Sequence, residues 1–369
     1  MISKRFLEPS PRRILVIAMR YLGDVLLITP LLHSLRQAYP DARIDVLVFH
    51  NTAGMLEGNP DINHIITIPN RPKLADYRHL LPQLFRRYNL AVATQAGDRS
   101  FLCLLLAASL RLTVVSKKNT TGWWKRYFVQ HWLEFDDNTH TVLQHLKFLD
   151  ALKIKKHFAL IPPQLSDSEQ LVKQYPFISA NKDYVVIHPH PQWTYKQWTS
   201  DAWIELGHYL HELGLTLVLS CGPAQQELDY VAAIQRQLPE STINLAGFVS
   251  LAQLATILGK AKLYIGPDTG ITHLAAATGI PVLALFGPTN PVKWAPFPVN
   301  YQSELNPFNK IGDQHVNNVY LIQGAGACVP CDLEGCDRHR LSHSDCLSKL
   351  SVKKIRAIAL SILQKDKKT

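Results

Sequence analysis

The sequence has no apolar run long enough to cross a membrane. Its longest apolar run, at residues 101–110, falls well short of the roughly 20 residues that span a bilayer. The first residues, MISKRFLEPSPRR, are basic but contain neither the apolar core nor the cleavage site of a secretory signal. Membrane-spanning and secreted proteins are therefore disfavoured, and we expect a cytoplasmic protein.

The motifs of two common nucleotide-binding classes are also missing. No GxGxxG follows the first predicted strand, and GxxxxGK[S/T] occurs nowhere in the chain. Dinucleotide-dependent oxidoreductases and P-loop kinases bind phosphates with these glycine-rich turns. Both classes therefore lose their usual support.

Charged residues are sparse, and the two signs are unequal. They make up 18% of the 369 residues, whereas apolar residues make up 47%, as in a folded globular protein. Lys and Arg number 39 against 29 Asp and Glu, a net charge of +10, which favours a polyanionic partner or an anionic membrane surface. Because the chain lacks zinc-finger spacing, a basic zipper and an RNA-recognition signature, we expect anionic lipid and no nucleic acid.

Short apolar strands alternate with helical periodicity along the whole chain. This alternation predicts an α/β fold with parallel sheets, and the length suits two such domains. We predict the first domain over residues 1–170, the second over residues 177–350, and an amphipathic terminal helix over residues 351–369. Strands are predicted at 13–18, 44–49, 65–68, 90–94, 112–115, 184–188, 216–220, 263–265 and 282–286, and helices at 25–38, 200–213, 225–238, 251–258 and 352–364.

The strongest chemical signal is GPDTGITHLAAA at residues 266–277, directly after a predicted strand. Gly270 allows a ligand to approach the backbone closely, and the amides at the start of the following helix attract phosphate. The segment therefore predicts a diphosphate site that includes Asp268, Thr269 and His273. The alternatives are that Asp268 is only a helix N-cap and that His273 is a hydrogen-bonded core histidine.

Asp24 ends the run RYLGD, at the carboxyl end of the first predicted strand. Open α/β sheets bind their ligands at this edge, which makes Asp24 a candidate reactive carboxylate, with Arg20 nearby. A carboxylate in this position can instead serve only to complement the dipole of the following helix.

The loop HPHPQWTYKQW, residues 188–198, follows the first predicted strand of the second domain. Its Lys196 is a compact cation suited to a diphosphate leaving group, although most loop lysines are simply solvated. Trp193 and Trp198 are equally compatible with the protein core and with the wall of a cleft.

Three long motifs resemble those of glycosyltransferase family 9, the ADP-heptose:lipopolysaccharide heptosyltransferases. They are RILVIAMRYLGDVLLITPLL, H-P-x-x-x-W-x-x-K-x-W, and D-T-G-x-x-H-L-A-A-A followed by F-G-P-T. The resemblance extends from about Arg12 to Leu350 and is strongest to the heptosyltransferase III branch.

The resemblance implies a GT-B fold, in which two Rossmann-like domains face a cleft, and an inverting transfer of heptose from ADP-L-glycero-D-manno-heptose to the inner core of lipopolysaccharide. It implies that Asp24 is the general base and that the donor is bound by Lys196, Glu227, Asp268, Thr269, Gly270 and His273. Glu227 would bind the donor ribose, but it is equally compatible with a plain first-turn helix acid. The resemblance implies no metal and no cofactor besides the donor. A GT-B transferase with another nucleotide sugar, or a non-catalytic glycolipid-binding relative, remains an alternative.

Four of the six cysteines lie close together in the sequence, at Cys328, Cys331, Cys336 and Cys346. A cytoplasmic setting argues against disulfides. The spacing permits a tetrahedral zinc site but lacks the second C-x2-C of a zinc ribbon, so we favour an ordered, reduced loop over zinc.

A basic and aromatic stretch occupies residues 117–128. Trp and Tyr among cations suit a membrane interface or the phosphorylated sugar core of a glycolipid, although an ordinary half-buried loop and helix is the alternative. We expect Lys125 and Arg126, together with Arg20, to bind the acceptor, and the protein to lie peripherally on the cytoplasmic face of the inner membrane.

Overall fold

The computed structural model describes residues 10–117, 121–179 and 183–366. The chain forms two compact units. The first comprises the residues up to Pro163 together with Gln302–Leu305, and the second comprises Gln164–Tyr301 and the residues from Asn306 onward. The segment Gln302–Leu305 therefore belongs to the first unit, although the chain on both sides of it belongs to the second. Within the first unit, Lys156 Nζ lies 2.8 Å from Oε2 of Glu304 in this segment.

Within the described residues, the first unit contains one sheet of six parallel strands. The strands are β1 (Arg13–Ile17), β2 (Arg43–Phe49), β3 (His64–Ile68), β4 (Tyr88–Ala93), β5 (Ala108–Val115) and β6 (His131–Glu134), and the helices are α1 (Leu22–Leu26), α2 (Thr29–Ala38), α3 (Leu74–Leu84), α4 (Asp98–Ala107) and α5 (Thr141–Leu152). Their spatial order is β3-β2-β1-β4-β5-β6. The chain turns to opposite sides of β1, and the carboxyl end of β1 is therefore the switch point at which such sheets bind ligands.

The second unit is again a sheet covered by helices. Its strands are β7 (Tyr184–Ile187), β8 (Thr216–Leu219), β9 (Ile243–Asn244), β10 (Leu263–Pro267), β11 (Val282–Phe286), β12 (Gln314–Val316) and β13 (Val319–Gln323), and its helices are α6 (Ser168–Gln174), α7 (Ser200–Glu212), α8 (Gln225–Gln235), α9 (Leu251–Leu258), α10 (Gly270–Ala277), α11 (Pro291–Trp294), α12 (Asp345–Ser348) and α13 (Val352–Asp366). The order is β12-β13-β11-β10-β7-β8-β9. Its switch point lies between β7 and β10.

The predicted α/β class with parallel sheets is confirmed, and the strand that departs from it is β12, which pairs antiparallel with β13 at an edge. Both sheets are buried, and their central strands are almost continuously apolar for that reason. In β1 and β11, for example, every residue from Ile14 to Ile17 and from Val282 to Phe286 is at most 1% exposed.

The single helix predicted over residues 25–38 is wrong, because the structure has two helices, α1 and α2, with a break between them. Pro30 has no N–H to donate to the carbonyl of Leu26, and its ring would clash with that carbonyl in a continuous helix. The Leu26 carbonyl instead accepts a hydrogen bond of 2.8 Å from the Thr29 hydroxyl.

The terminal helix α13 packs on α7 and β10 of the second unit. Its buried side chains Ile355, Ala359 and Ile362 join the apolar core of that unit. None of the helices in the described part of the chain combines the length and the apolarity that a membrane span requires.

Candidate active site

Lys196 and Asp268 meet at the switch point of the second sheet. Lys196 ends a short 3-10 turn in the loop after β7, and Asp268 directly follows β10, the strand beside β7. The Lys196 Nζ lies 2.5 Å from Asp268 Oδ2, and the two side chains are 18% and 8% exposed. An ion pair this far withdrawn from water loses much of its Coulomb energy to desolvation, so it is a better indicator of a ligand site than of structural support.

Asp268 is not the N-cap of α10, so that alternative is wrong. The N-cap is Thr269, whose side chain accepts a hydrogen bond from the Thr272 amide. Gly270 and Ile271 begin the helix, where the helix dipole and the first amides favour an anion. The structure therefore brings the cation Lys196, through Asp268, beside the turn that begins α10.

A buried hydroxyl network supports this turn from beneath. The Tyr264 hydroxyl lies 2.9 Å from Thr272 Oγ1, which donates to the Pro267 carbonyl at 2.5 Å and lies 3.2 Å from Thr269 Oγ1. Burial raises the pKa of Tyr264 above its usual range, so the phenol stays protonated. Neither Tyr264 nor Thr272 was recognisable from the sequence as a site residue, because a tyrosine inside an apolar strand looks like an ordinary core residue.

Gly266 is required by the same network. A Cβ at this position would lie 2.3 Å from the Tyr264 hydroxyl oxygen, far inside contact distance. The glycine therefore lets the Tyr264 ring pass under the backbone that leads to Asp268.

His273 is buried close to the ion pair. Burial lowers its pKa to about 4, an effect that Asp268 opposes and Lys196 reinforces, so the imidazole is neutral at pH 7. Its Nδ1 has no hydrogen-bond partner in the part of the chain that the structure describes. A fully satisfied core histidine is therefore excluded, since buried polar atoms normally have partners and this one is left for a ligand or water.

Glu227 lies in the first turn of α8, beyond the carboxyl end of β8. Its Oε2 accepts a hydrogen bond of 2.7 Å from the Gly222 amide. Burial raises the pKa of Glu227, and the Gly222 hydrogen bond opposes that shift. Since β8 is the neighbour of β7, this carboxylate belongs to the same edge of the sheet as Lys196.

The two tryptophans of the Lys196 loop have different surroundings. Trp198 is 1% exposed and donates from Nε1 to the Leu350 carbonyl at 3.0 Å, so it belongs to the core. Trp193 is covered by Arg340, whose guanidinium carbon lies 4.4 Å from the ring centroid.

Asp24 lies in the first turn of α1, beyond the end of β1 at the switch point of the first sheet. Arg20 Nε is 3.8 Å from Asp24 Oδ1, and the two side chains are 45% and 13% exposed. The position suits a reactive carboxylate, and it equally suits a charge that complements the helix dipole.

The basic and aromatic stretch contains one buried cation, Lys125, and three exposed rings. Lys125 is almost completely buried, 2.6 Å from Asp98, and donates to the Ala96 carbonyl. The Arg126 guanidinium lies over the Trp132 ring at 4.6 Å. Lys118 lies outside the described residues. The exposed rings are Trp124, Tyr127 and Phe128, which we call the aromatic patch.

Comparisons with known proteins identify the family of the chain. The family model for glycosyltransferase family 9 (heptosyltransferase) matches residues 88–321. Lipopolysaccharide heptosyltransferase 3 of Escherichia coli (strain K12) is 31% identical over 293 residues, which cover 76% of this chain and 84% of that protein.

Two solved structures share the fold. Escherichia coli ADP-heptose lps heptosyltransferase II superposes with a TM-score of 0.72 at 20% identity, over 96% of this chain and 99% of that one. The Escherichia coli heptosyltransferase WaaC, solved with ADP, gives 0.71 at 18% identity, over 95% and 99%. The likeness shows the GT-B fold. The chain is thus a glycosyltransferase and belongs to glycosyltransferase family 9, the heptosyltransferase family.

Proposed function

We propose that this enzyme transfers heptose from ADP-L-glycero-D-manno-heptose to the inner core of lipopolysaccharide, with inversion, as a heptosyltransferase III-like enzyme. The observation that carries the proposal is the Lys196–Asp268 pair beside the start of α10. The names of the relatives support it, since one is a lipopolysaccharide heptosyltransferase 3 and a solved neighbour contains ADP.

The donor diphosphate binds between Lys196 and the amides at the start of α10. The lysine then exchanges part of its contact with Asp268 for a phosphate oxygen, which keeps its charge compensated. Glu227 accepts a hydrogen bond from the ribose, and the unpartnered Nδ1 of His273 is available to the donor. Charge that develops on the departing ADP is stabilised by the same lysine and amides.

Asp24 acts as the general base. It accepts the proton of the acceptor hydroxyl as that oxygen attacks the anomeric carbon, while the bond to ADP breaks. Arg20, whose Nε lies 3.8 Å from Asp24 Oδ1, is available to an anionic acceptor.

The aromatic patch docks the enzyme peripherally on the anionic, cytoplasmic face of the inner membrane. Exposed Trp and Tyr rings suit the interface of a bilayer, and the net charge of +10 favours anionic lipid. Arg126 lies over Trp123, whose ring contacts Tyr127 of the patch, and is an acceptor contact, whereas Lys125 supports the first unit from inside through Asp98.

One assay tests this function. The purified enzyme is given ADP-heptose and a panel of truncated lipopolysaccharide cores, and ADP release is measured. We expect release that depends on an acceptor, and a large loss in Lys196→Ala but not in Lys260→Ala, an exposed lysine of the same unit. Because a charged hydrogen bond contributes about 1.5–3 kcal/mol, ADP should bind Lys196→Ala roughly 10-fold to 100-fold more weakly.

Two results would contradict the proposal. Acceptor-dependent release from another nucleotide sugar, but not from ADP-heptose, would establish the alternative donor. Glycolipid binding without release from any donor would establish the non-catalytic relative.

A further inference from the structure

The cysteine-rich loop, residues 328–346, packs against the loop that carries Lys196. Ser344 Oγ donates to the Tyr195 carbonyl at 2.6 Å, and Arg340 covers the Trp193 ring. Whatever fixes the shape of this loop therefore also influences the position of Lys196.

Within the loop, Cys336, His343 and Asp345 bring their ligand atoms together. One sulfur, one imidazole nitrogen and one carboxylate oxygen all lie within 4.8 Å of one another. The backbone closes the loop around them, since the Cys336 amide donates to the His343 carbonyl at 2.9 Å. The Asp345 amide donates to Cys336 Sγ at 3.4 Å, which holds the sulfur beside the carboxylate-bearing residue.

The outer atoms of two of these side chains already have partners that orient them. His343 Nδ1 lies 3.3 Å from Asp337, which directs Nε2 inward, and Asp345 Oδ2 lies 2.7 Å from Lys349, which directs Oδ1 inward. The inner pair, His343 Nε2 and Asp345 Oδ1, is 3.2 Å apart. A carboxylate behind a histidine is the usual support of a metal-binding imidazole.

The spacing suits a small ion of intermediate softness. Donors bound to tetrahedral Zn²⁺ at about 2.0–2.3 Å lie about 3.3–3.8 Å apart, so these exposed side chains need to close by only about 1 Å. Three protein ligands leave a fourth position for water. Cys346 adjoins this set, but its side chain is buried in the apolar core of the second unit and is not one of the three converging ligands.

We propose that Cys336 Sγ, His343 Nε2 and Asp345 Oδ1 bind one divalent cation of the Zn²⁺ class. The metal clamps the cysteine-rich loop and thereby stiffens the wall that supports the Lys196 loop. This site replaces the metal-free, reduced loop favoured from the sequence, and it differs from a four-cysteine site in its ligands. Its role is structural and lies outside the transfer chemistry.

The test uses the full chain, loaded with Zn²⁺ or Co²⁺ and dialysed. We expect one metal per chain by elemental analysis, and with Co²⁺ a thiolate charge-transfer band and the strong visible bands of tetrahedral coordination. Cys336→Ser and His343→Ala should each weaken metal affinity at least about 10-fold. The matched control is Cys328→Ser, an exposed cysteine of the same loop, which should bind as the parent does.

A second readout follows the loop itself. Metal should slow hydrogen exchange at residues 193–196 in the parent and not in Cys336→Ser, and circular dichroism should show that every variant is folded. The proposal is overturned if the parent binds no stoichiometric metal, or if Cys336→Ser retains it. Metal loss in Cys328→Ser with retention in His343→Ala would overturn the ligand set in favour of the four cysteines.

Discussion

At the scale of single residues, His273 links the donor site to the acid stability of the protein. Its pKa is about 4 in the folded chain, below the ordinary value of 6.5, because burial disfavours the imidazolium. The unfolded chain therefore binds a proton at a higher pH than the folded chain does. The stability contributed by neutral His273 is complete above pH 6.5 and is lost as the pH falls towards about 4.

As the pH falls from 7.5 to 5, we expect the titration of this histidine to lower the free energy of unfolding by roughly 2 kcal/mol. Urea denaturation at the two pH values measures the loss, and His273→Gln should reduce it because a neutral amide does not titrate. His208→Gln, at an exposed site, serves as the control. An equal pH dependence in the parent and His273→Gln would contradict this prediction.

Asp24→Asn tests the proposed base, since it preserves shape and removes proton acceptance. A positioned general base contributes about 100-fold to 10,000-fold in rate, and its help appears in the transition state only. Turnover should fall by at least the lower figure, while ADP-heptose affinity stays within a few-fold of the parent. Asp41→Asn, at an exposed aspartate of the same unit, should have no effect. Near-parental turnover of Asp24→Asn at saturating acceptor would mean that another residue is the base.

At the scale of elements, the turn from β10 to α10 depends on a glycine under which a tyrosine ring passes. Gly266→Ala would force a Cβ against Tyr264, and overpacking of this kind costs about 1–3 kcal/mol. We expect a lower unfolding free energy and weaker ADP binding together, because the displaced backbone carries Asp268. Gly259→Ala, whose Cβ would lie 3.4 Å from its nearest neighbour, is the control. Parental stability and ADP affinity in Gly266→Ala would show that the turn is adaptable.

Features that depend on a local sequence pattern were predictable, whereas features that depend on the order of strands in the sheet were not. Buried strands such as β1 and β7 are continuous apolar runs, and the loops after them were therefore recognisable as candidate ligand sites. The approach of Lys196 to Asp268, 72 residues apart, depends on β10 lying beside β7, and a strand order of this kind is not written in any local pattern. The strand predicted at 112–115 begins four residues too late for another reason, since one apolar run continues from α4 into β5 at Ala108 without Gly or Pro.

At the scale of the whole molecule, the positive charge and the aromatic patch predict how the enzyme meets a bilayer. Trp124, Tyr127 and Phe128 are 47%, 72% and 52% exposed, and Arg126 lies over the neighbouring Trp123 ring. Each ring that enters the interface contributes roughly 1 kcal/mol or more from apolar burial, and the surrounding charge adds an attraction that salt screens over about 8 Å.

Replacing the three rings together by serine should therefore weaken binding to phosphatidylglycerol vesicles at least about tenfold. Phe248→Ser is the matched control, since that ring is 81% exposed in the second unit. Vesicle flotation measures binding, and raising the salt concentration should reduce what the parent retains, whereas phosphatidylcholine vesicles should bind little at any salt concentration. If the triple variant floats with anionic vesicles as the parent does, the enzyme meets the membrane through another surface, and the acceptor must be sought there.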